Sequence, residues 1–453
     1  MPRLLLSFLL VFFALLRPAV TRAQGAAAAD NTAETALHRG QGPRWLNRLL
    51  GSSAVLRQHH VGVCLTDVAT GETLYELNSE QYFTPASTMK LFSLYAGLHL
   101  LGDSLPSLRY VVRPDSLLFW GTGDPTLLHG DVPSGRAFAF LQGRPEKLFY
   151  LPIPSVEAFG PGWSWDDYTY YFSPERAAFP IYGNTVRFYA RPNQPLRVAP
   201  ASFAPLVEPT PPGFPAADHV RRAELENRFF VLPSAKSWVD ETPFRTSPGL
   251  LLKLLQDTLR RPVQALRWQL RPQDSLRTLS GLPVDSLYRR MLQVSDNFLA
   301  EQLLLMCSSR LGSDSLNTAR AIRAVRRQFL ADLPDPLRWV DGSGLSRLNL
   351  ATPRDLNALL LKLHREVPEA RLLSLLAAGG GHGTLRRGYH DARGPWFWGK
   401  TGTLTNTHNL CGYLRTRKGR LLAVSFLNNH HVVETSAVRR EMERILGQVR
   451  ERL

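Results

Sequence analysis

Lysine and cysteine are both scarce in this 453-residue chain. Only Lys90, Lys147, Lys236, Lys253, Lys362, Lys400 and Lys418 are present, so of 54 Lys+Arg residues 54 − 7 = 47 are arginine. Three cysteines (Cys64, Cys307, Cys411) are too few for a disulfide-stapled scaffold. Cys64 and Cys411 lie in apolar, strand-like sequence and leave two readings open, buried free thiols or a single bridge. The apolar run Leu4–Leu16 has 13 residues, short of the roughly 20 that a membrane-spanning helix needs. Zinc-finger spacing, a basic stripe and an aromatic RNA-binding signature are all missing. The formal charge of +16 therefore reads as scattered arginine on a surface that faces anionic surroundings, with no nucleic-acid partner.

What is present supports a folded, exported protein. Hydrophobic residues make up 44% and charged residues 20%, enough apolar material for packed cores in two to three domains. Residues 1–23 read as a secretory signal peptide: Arg3, the apolar run, then a small-residue stretch ending at Ala23. The alternative is an uncleaved N-terminal anchor. Cleavage after Ala23 removes Arg3, Arg17 and Arg22 and leaves +16 − 3 = +13, with no transmembrane segment in what remains. Residues 24–43, rich in Ala, Gly and polar residues, are expected to be a flexible leader.

The pattern predicts strands from His60 and over Thr73–Leu77, joined by a turn, and a helix opened by Thr84-Pro85-Ala86. Residues 104–234 hold 19 of the 33 prolines, which excludes long helices from most of that stretch. They are expected to form a β- and loop-rich domain inserted between the halves, 44–103 and 235–453, of a split domain. Helical periodicity resumes near Pro248, and Pro395–Leu404, Asn409–Thr416 and Arg420–Asn428 predict three antiparallel strands. Val438, Met442, Ile445, Leu446, Val449 and Leu453 mark one face of a core-facing last helix.

Three short motifs carry chemistry. Ser87-Thr88-Met89-Lys90 puts a hydroxyl and an amine three residues apart at a helix start, on one face by helical geometry. Burial lowers a lysine's pKa and lets it act as a base, while a helix N-terminus favours developing negative charge on the serine. Ser295-Asp296-Asn297 stands between two amphipathic helices, where by itself it is simply an N-cap. Lys400-Thr401-Gly402 lies in a strand, and Gly402 permits close approach of another backbone. With seven lysines this last tripeptide is the rarest by chance.

The three motifs in this order resemble the penicillin-recognising serine enzymes. The spacings, 295 − 87 = 208 and 400 − 295 = 105 residues, leave room for an insertion that an ordinary β-lactamase lacks. They resemble instead the class C low-molecular-mass, penicillin-binding protein 4-type D-alanyl-D-alanine carboxypeptidase/endopeptidases. Gly123-Asp124-Pro125-Thr126-Leu127, Pro161–Asp167, Asp341–Arg347 with Thr352-Pro353, and Gly383-Thr384-Leu385 match further stretches of that family.

The resemblance implies an α+β, DD-peptidase-like fold, a helical cluster on an antiparallel sheet with a β-rich insertion over the cleft. It implies hydrolysis of peptidoglycan stem peptides or cross-links through an acyl-serine intermediate, β-lactams as covalent inhibitors, a periplasmic or envelope location, and no metal or cofactor. Ser87 is then the nucleophile, Lys90 its base and Ser295 the proton relay. Asn297, Lys400, Thr401, Gly402 and Thr403 hold substrate, and Asp167 meets the amine of a diamino-acid stem residue. Where relatives carry an acid before Gly-Thr-Leu this chain has His382, read as a surface loop residue. Trp163 and Trp165 read as local core rather than sugar platforms. The rivals are a β-lactamase, although no Glu-x-x-Leu-Asn-type segment is evident, and a silent envelope-binding relative.

Overall fold

The computed structural model describes residues 40–153, 156–211, 219–232, 236–267, 270–312 and 316–453. The signal peptide and most of the leader lie outside these residues. Gly40–Pro43, assigned to the leader from sequence, are docked: Gln41 and Glu76 exchange backbone hydrogen bonds of 2.7 and 2.9 Å, a bridge that the polar composition does not reveal.

Helix α1 (Arg44–Gly51) leads to β1 (His60–Asp67) and β2 (Thr73–Leu77). A 3-10 turn over Ala86–Met89 then feeds α2 (Lys90–Leu100), whose residues 90–97 are all buried. A helix apolar all round belongs inside a core, and α2 runs through the largest apolar cluster.

The inserted region follows with β3 (Ser104–Arg113), β4 (Ser116–Gly121), α3 (Arg136–Gln142), β5 (Lys147–Tyr150) and β6 (Thr185–Ala190). Sequence places its end at residue 234, but pairing carries it further. Strand β7 (Trp238–Pro243) pairs with β6; after α4 (Pro248–Leu259), β8 (Val263–Ala265) pairs with β5 and β9 (Arg277–Pro283) with β3. Leu254, Leu255 and Leu259 of α4 pack into the same cluster as Leu117, Phe119 and Phe188. Proline density marks where loops stop, not where β pairing stops, and an amphipathic helix reads alike whichever core it covers. The compact unit nonetheless spans Arg39–Leu453 as a whole.

Helices α5 (Val284–Gln293), α6 (Asn297–Arg310), α7 (Thr318–Phe329), α8 (Pro353–Glu366) and α9 (Glu369–Leu375) come next. They lead to β10 (Ala377–Ala378), β11 (Phe397–Leu404), β12 (Thr407–Arg415), β13 (Leu421–Asn429) and α10 (Thr435–Arg452). The main sheet has the order β10-β11-β12-β13-β1-β2. Its pairs are antiparallel, so the three predicted C-terminal strands are present within a residue or two.

Alternation sends Val424 and Phe426 to one face, beneath α1 and α10, and Ala423 and Leu427 to the other, beneath α2 and α8. On α10 the predicted Val438, Met442, Ile445, Leu446 and Val449 are buried and Leu453 is half-buried. Cys64 and Cys411 are buried free thiols. Both pair with Ser425 from opposite sides of β13; strands two apart lie about 9.6 Å from each other, beyond the ~7 Å Cα separation a disulfide tolerates. Among the described residues no helix is long and apolar enough to cross a membrane.

Candidate active site

Two close backbone approaches build the site. Ala86 adopts a positive φ of 50° as the chain turns into α2, and its carbonyl lies where a Cβ on Gly344 would stand, at 1.8 Å. Across the cleft, a Cβ on Gly402 would lie 2.6 Å from the Pro85 carbonyl oxygen and 3.1 Å from the Ser87 nitrogen. Glycine at both positions lets the segment 341–346 and strand β11 clamp the helix entry from two sides. Gly402 thus has the close-approach role expected of it.

Lys90 is fully buried and its Nζ donates to Ser87 Oγ (2.9 Å), Asn297 Oδ1 (2.6 Å) and the Ser343 carbonyl (2.7 Å). Burial lowers its pKa to about 8, against the opposing pull of Asp296, Asp341 and Glu301. The amine is therefore easily deprotonated near neutral pH yet held on the Ser87 hydroxyl.

Ser295 has a positive φ of 67° in the tight α5–α6 junction. Asp296 caps α6, its side chain accepting from the Leu299 N–H at 3.0 Å, so the N-cap reading of this tripeptide holds for its middle residue. Asn297 turns its other end to the inserted region, Nδ2 donating to the Phe172 carbonyl at 2.9 Å.

Lys400 Nζ donates to Ser295 Oγ (2.8 Å) and to the Thr401 carbonyl (2.6 Å). It is fully buried; that burial, with the nearby Lys90, pushes its pKa well down. Thr401 and Thr403 line the cleft, whereas Lys400 is buried beside them. Thr403 Oγ1 is hydrogen-bonded to His408 Nδ1 at 2.8 Å. Burial lowers the His408 pKa to about 3, so this imidazole is neutral. Two serines and two lysines thus form a hydrogen-bonded arrangement along a cleft of about 1020 Å³.

The inserted region forms the facing wall, where Asp167, on the turn Trp165–Thr169, lines the cleft. Burial and then Asp166 raise its pKa, while Arg347 opposes them. Trp163 is partly buried and donates to Asp341 Oδ2 at 2.9 Å, a packing role as expected. Trp165 departs from expectation: it is 70% exposed, and the short turn carrying it buries only Thr169. His382 is exposed, as read.

The motifs alone leave several contributors hidden. The Ser343 carbonyl on Lys90 is one. Glu301 is another: buried on α6, it accepts from the Ser343 N–H at 2.8 Å and pairs with buried Arg176 at 3.4 Å. The stretch Asp341–Arg347 was visible as a marker, but backbone acceptors carry no side-chain signal.

A helical cluster on an antiparallel sheet, with a Ser-x-x-Lys helix entry facing a Lys-Thr-Gly strand, is the DD-peptidase-like fold of the penicillin-recognising serine enzymes. The D-Ala-D-Ala carboxypeptidase 3 (S13) family model matches residues 46–207 and 257–449, and the chain belongs to that family. Among curated relatives, carboxypeptidase DacB of Mycolicibacterium smegmatis is 31% identical over 161 residues, a match covering 34% of this chain and only 35% of that protein. D-alanyl-D-alanine carboxypeptidase DacB of Haemophilus influenzae is 24% identical over 422 residues, 82% of this chain and 86% of that protein. The crystal structure of penicillin binding protein 4 from H. influenzae superimposes with a TM-score of 0.70 at 20% identity, covering 90% of this chain and 99% of that one. This last likeness supports the fold.

Proposed function

We propose that the chain is a serine-type D-alanyl-D-alanine carboxypeptidase/endopeptidase that hydrolyses peptidoglycan stem peptides or cross-links. The observation carrying this reading is the Lys90 amine held at 2.6–2.9 Å on both Ser87 and Asn297 in a fully buried position.

Ser87 Oγ attacks the carbonyl of the bond following a D-alanine, and neutral Lys90 takes its proton. The oxyanion is held by the backbone N–H groups of Ser87 and Thr403, donors worth about 3 kcal/mol each in such sites. Ser295 Oγ, held by Lys400, relays a proton to the leaving amine. Lys400 acts on the terminal carboxylate from its buried position while Thr401 and Thr403 meet it in the cleft, and the arriving anion raises the lysine's pKa and favours its charged form. Asn297 holds the substrate amide when its bond to the Phe172 carbonyl is exchanged for one to substrate. Water then hydrolyses the acyl enzyme, and β-lactams acylate the same serine. Asp167 meets the amine of a diamino-acid stem residue; equal losses for Asp167→Asn on amine-bearing and amine-lacking peptides would reject that role. The signal-like N-terminus and the +13 charge of residues 24–453 support export to an anionic envelope.

The test is incubation with muropeptides that end in D-Ala-D-Ala. D-Alanine release that disappears in Ser87→Ala is the expected result; no release by the wild-type chain overturns the reading. Persistent labelling by a fluorescent penicillin, rather than rapid penicillin turnover, separates it from a β-lactamase.

A further inference from the structure

One part of the cleft takes no role in that chemistry. Arg386 and Arg387 follow the Gly383-Thr384-Leu385 turn, and Arg439 and Arg440 stand near the start of α10. All four are exposed and line the cleft. Among the described residues none of them has a carboxylate partner; the acid on this wall, Glu443, instead accepts from the Tyr389 N–H at 2.9 Å. Four guanidinium groups against one carboxylate leave this wall strongly positive.

Its placement is as informative as its charge. A Cβ on Gly383 would meet the Gln293 carbonyl at 2.1 Å, so Arg386 and Arg387 leave the turn packed two residues before Ser295. The same segment follows β10, which pairs with Gly399 and Trp398 at the entry of β11. Arg347 and Asp167 belong to the opposite end: both Arg347 Nη groups point to the Thr405 carbonyl at 3.4 Å, just beyond the exit of β11. Arg386 and Arg387 therefore lie on the side of Ser295 and the entry of β11, where anything attached to the leaving amine extends, while Arg439 continues the wall toward His408, which pairs with Thr403.

We propose that these arginines form a subsite for the carboxylates of a second peptide strand, so that cross-linked peptides are the preferred substrates. This rests on the function proposed above. A single stem releases only D-alanine, whose one carboxylate is already held at Thr401 and Thr403. A cross-linked substrate releases a whole second stem, with further carboxylates at its glutamate and its C-terminus, and arginine forks suit them. The bond count is that of ordinary hydrolysis. The amide breaks as the ester to Ser87 forms, the second strand leaves as an amine carrying the relayed proton, and water restores the serine and yields the first strand's carboxylate.

The test compares kcat/KM on a purified tetrapeptide dimer having free glutamate carboxylates, the same dimer amidated at glutamate, and a monomeric pentapeptide. Wild type and two double variants, R386Q/R387Q and R439Q/R440Q, are assayed at low and high salt. The dimer-to-pentapeptide ratio is expected to fall about tenfold in at least one double variant, from loss of two partly exposed charge pairs. Wild type alone should discriminate against the amidated dimer, and its advantage should shrink with salt. A ratio unchanged in both variants, or an equal loss on dimer and pentapeptide, overturns the subsite. A wild-type chain that cleaves neither substrate would instead overturn the underlying function.

Discussion

The proposed chemistry turns on the electrostatics of a single buried amine. Lys90 is placed to accept the Ser87 proton only when neutral, and burial brings its pKa to about 8. The acylation rate by a β-lactam is therefore expected to rise with pH and level off above about 8, measured by stopped-flow or by a pH series of labelling rates. Asp296 is the leading neighbour that raises this pKa. Asp296→Asn preserves the helix cap, since asparagine caps as well as aspartate, but removes the charge, so the rising limb should move to lower pH. An unmoved limb would separate Lys90 from the titration. Lys90→Arg should abolish acylation, because a guanidinium stays protonated at every accessible pH. The scarcity of lysine made this residue conspicuous in the sequence, and Lys400 likewise. What sequence did not reveal was that both would be fully buried, or that the Ser343 carbonyl would take one of Lys90's donors.

At the scale of elements, the site depends on how closely strand β11 and the segment 341–346 approach the start of α2. Gly402→Ala would drive a methyl against the Pro85 carbonyl at 2.6 Å. Overpacking of this kind costs about 1–3 kcal/mol, and the strand must retreat from the Ser87 N–H to accommodate it. The expected outcome is a lower melting temperature together with a larger loss in kcat than in KM, read by calorimetry and by steady-state kinetics. Strands β12 and β13 were legible as nine-residue strand-like runs bounded by turns, and helix α10 because 3.6-residue spacing is strong over eighteen residues. Trp165 was misread because a five-residue turn has no periodicity to show which side chains face inward. The end of the inserted region was misplaced for a related reason. Strands β8 and β9 are short and separated from their partners by more than a hundred residues, and pairing at that distance leaves no local mark.

For the whole molecule, the inserted region is tied to the helical cluster through groups adjoining the candidate site. Arg176 reaches across to Glu301, both almost wholly buried at 3.4 Å, and Glu301 holds the Ser343 N–H whose residue supplies a carbonyl to Lys90. Breaking a buried pair by removing one partner costs about 3–5 kcal/mol. Arg176→Ala should therefore shift the denaturation midpoint by a corresponding amount and lower β-lactam acylation as well, measured in parallel on one preparation. Loss of stability with acylation unchanged would show that the inserted region acts only as a cover. Family membership and fold follow from the chain as a whole, whereas the roles of individual residues rest on the geometry around Ser87. The most direct measurement is mass spectrometry of the protein after incubation with penicillin, with the adduct mapped by peptide. The account predicts a stoichiometric acyl adduct on Ser87, absent from Ser87→Ala and from Lys90→Arg. No adduct on the wild-type chain, or one on any other residue, would contradict it.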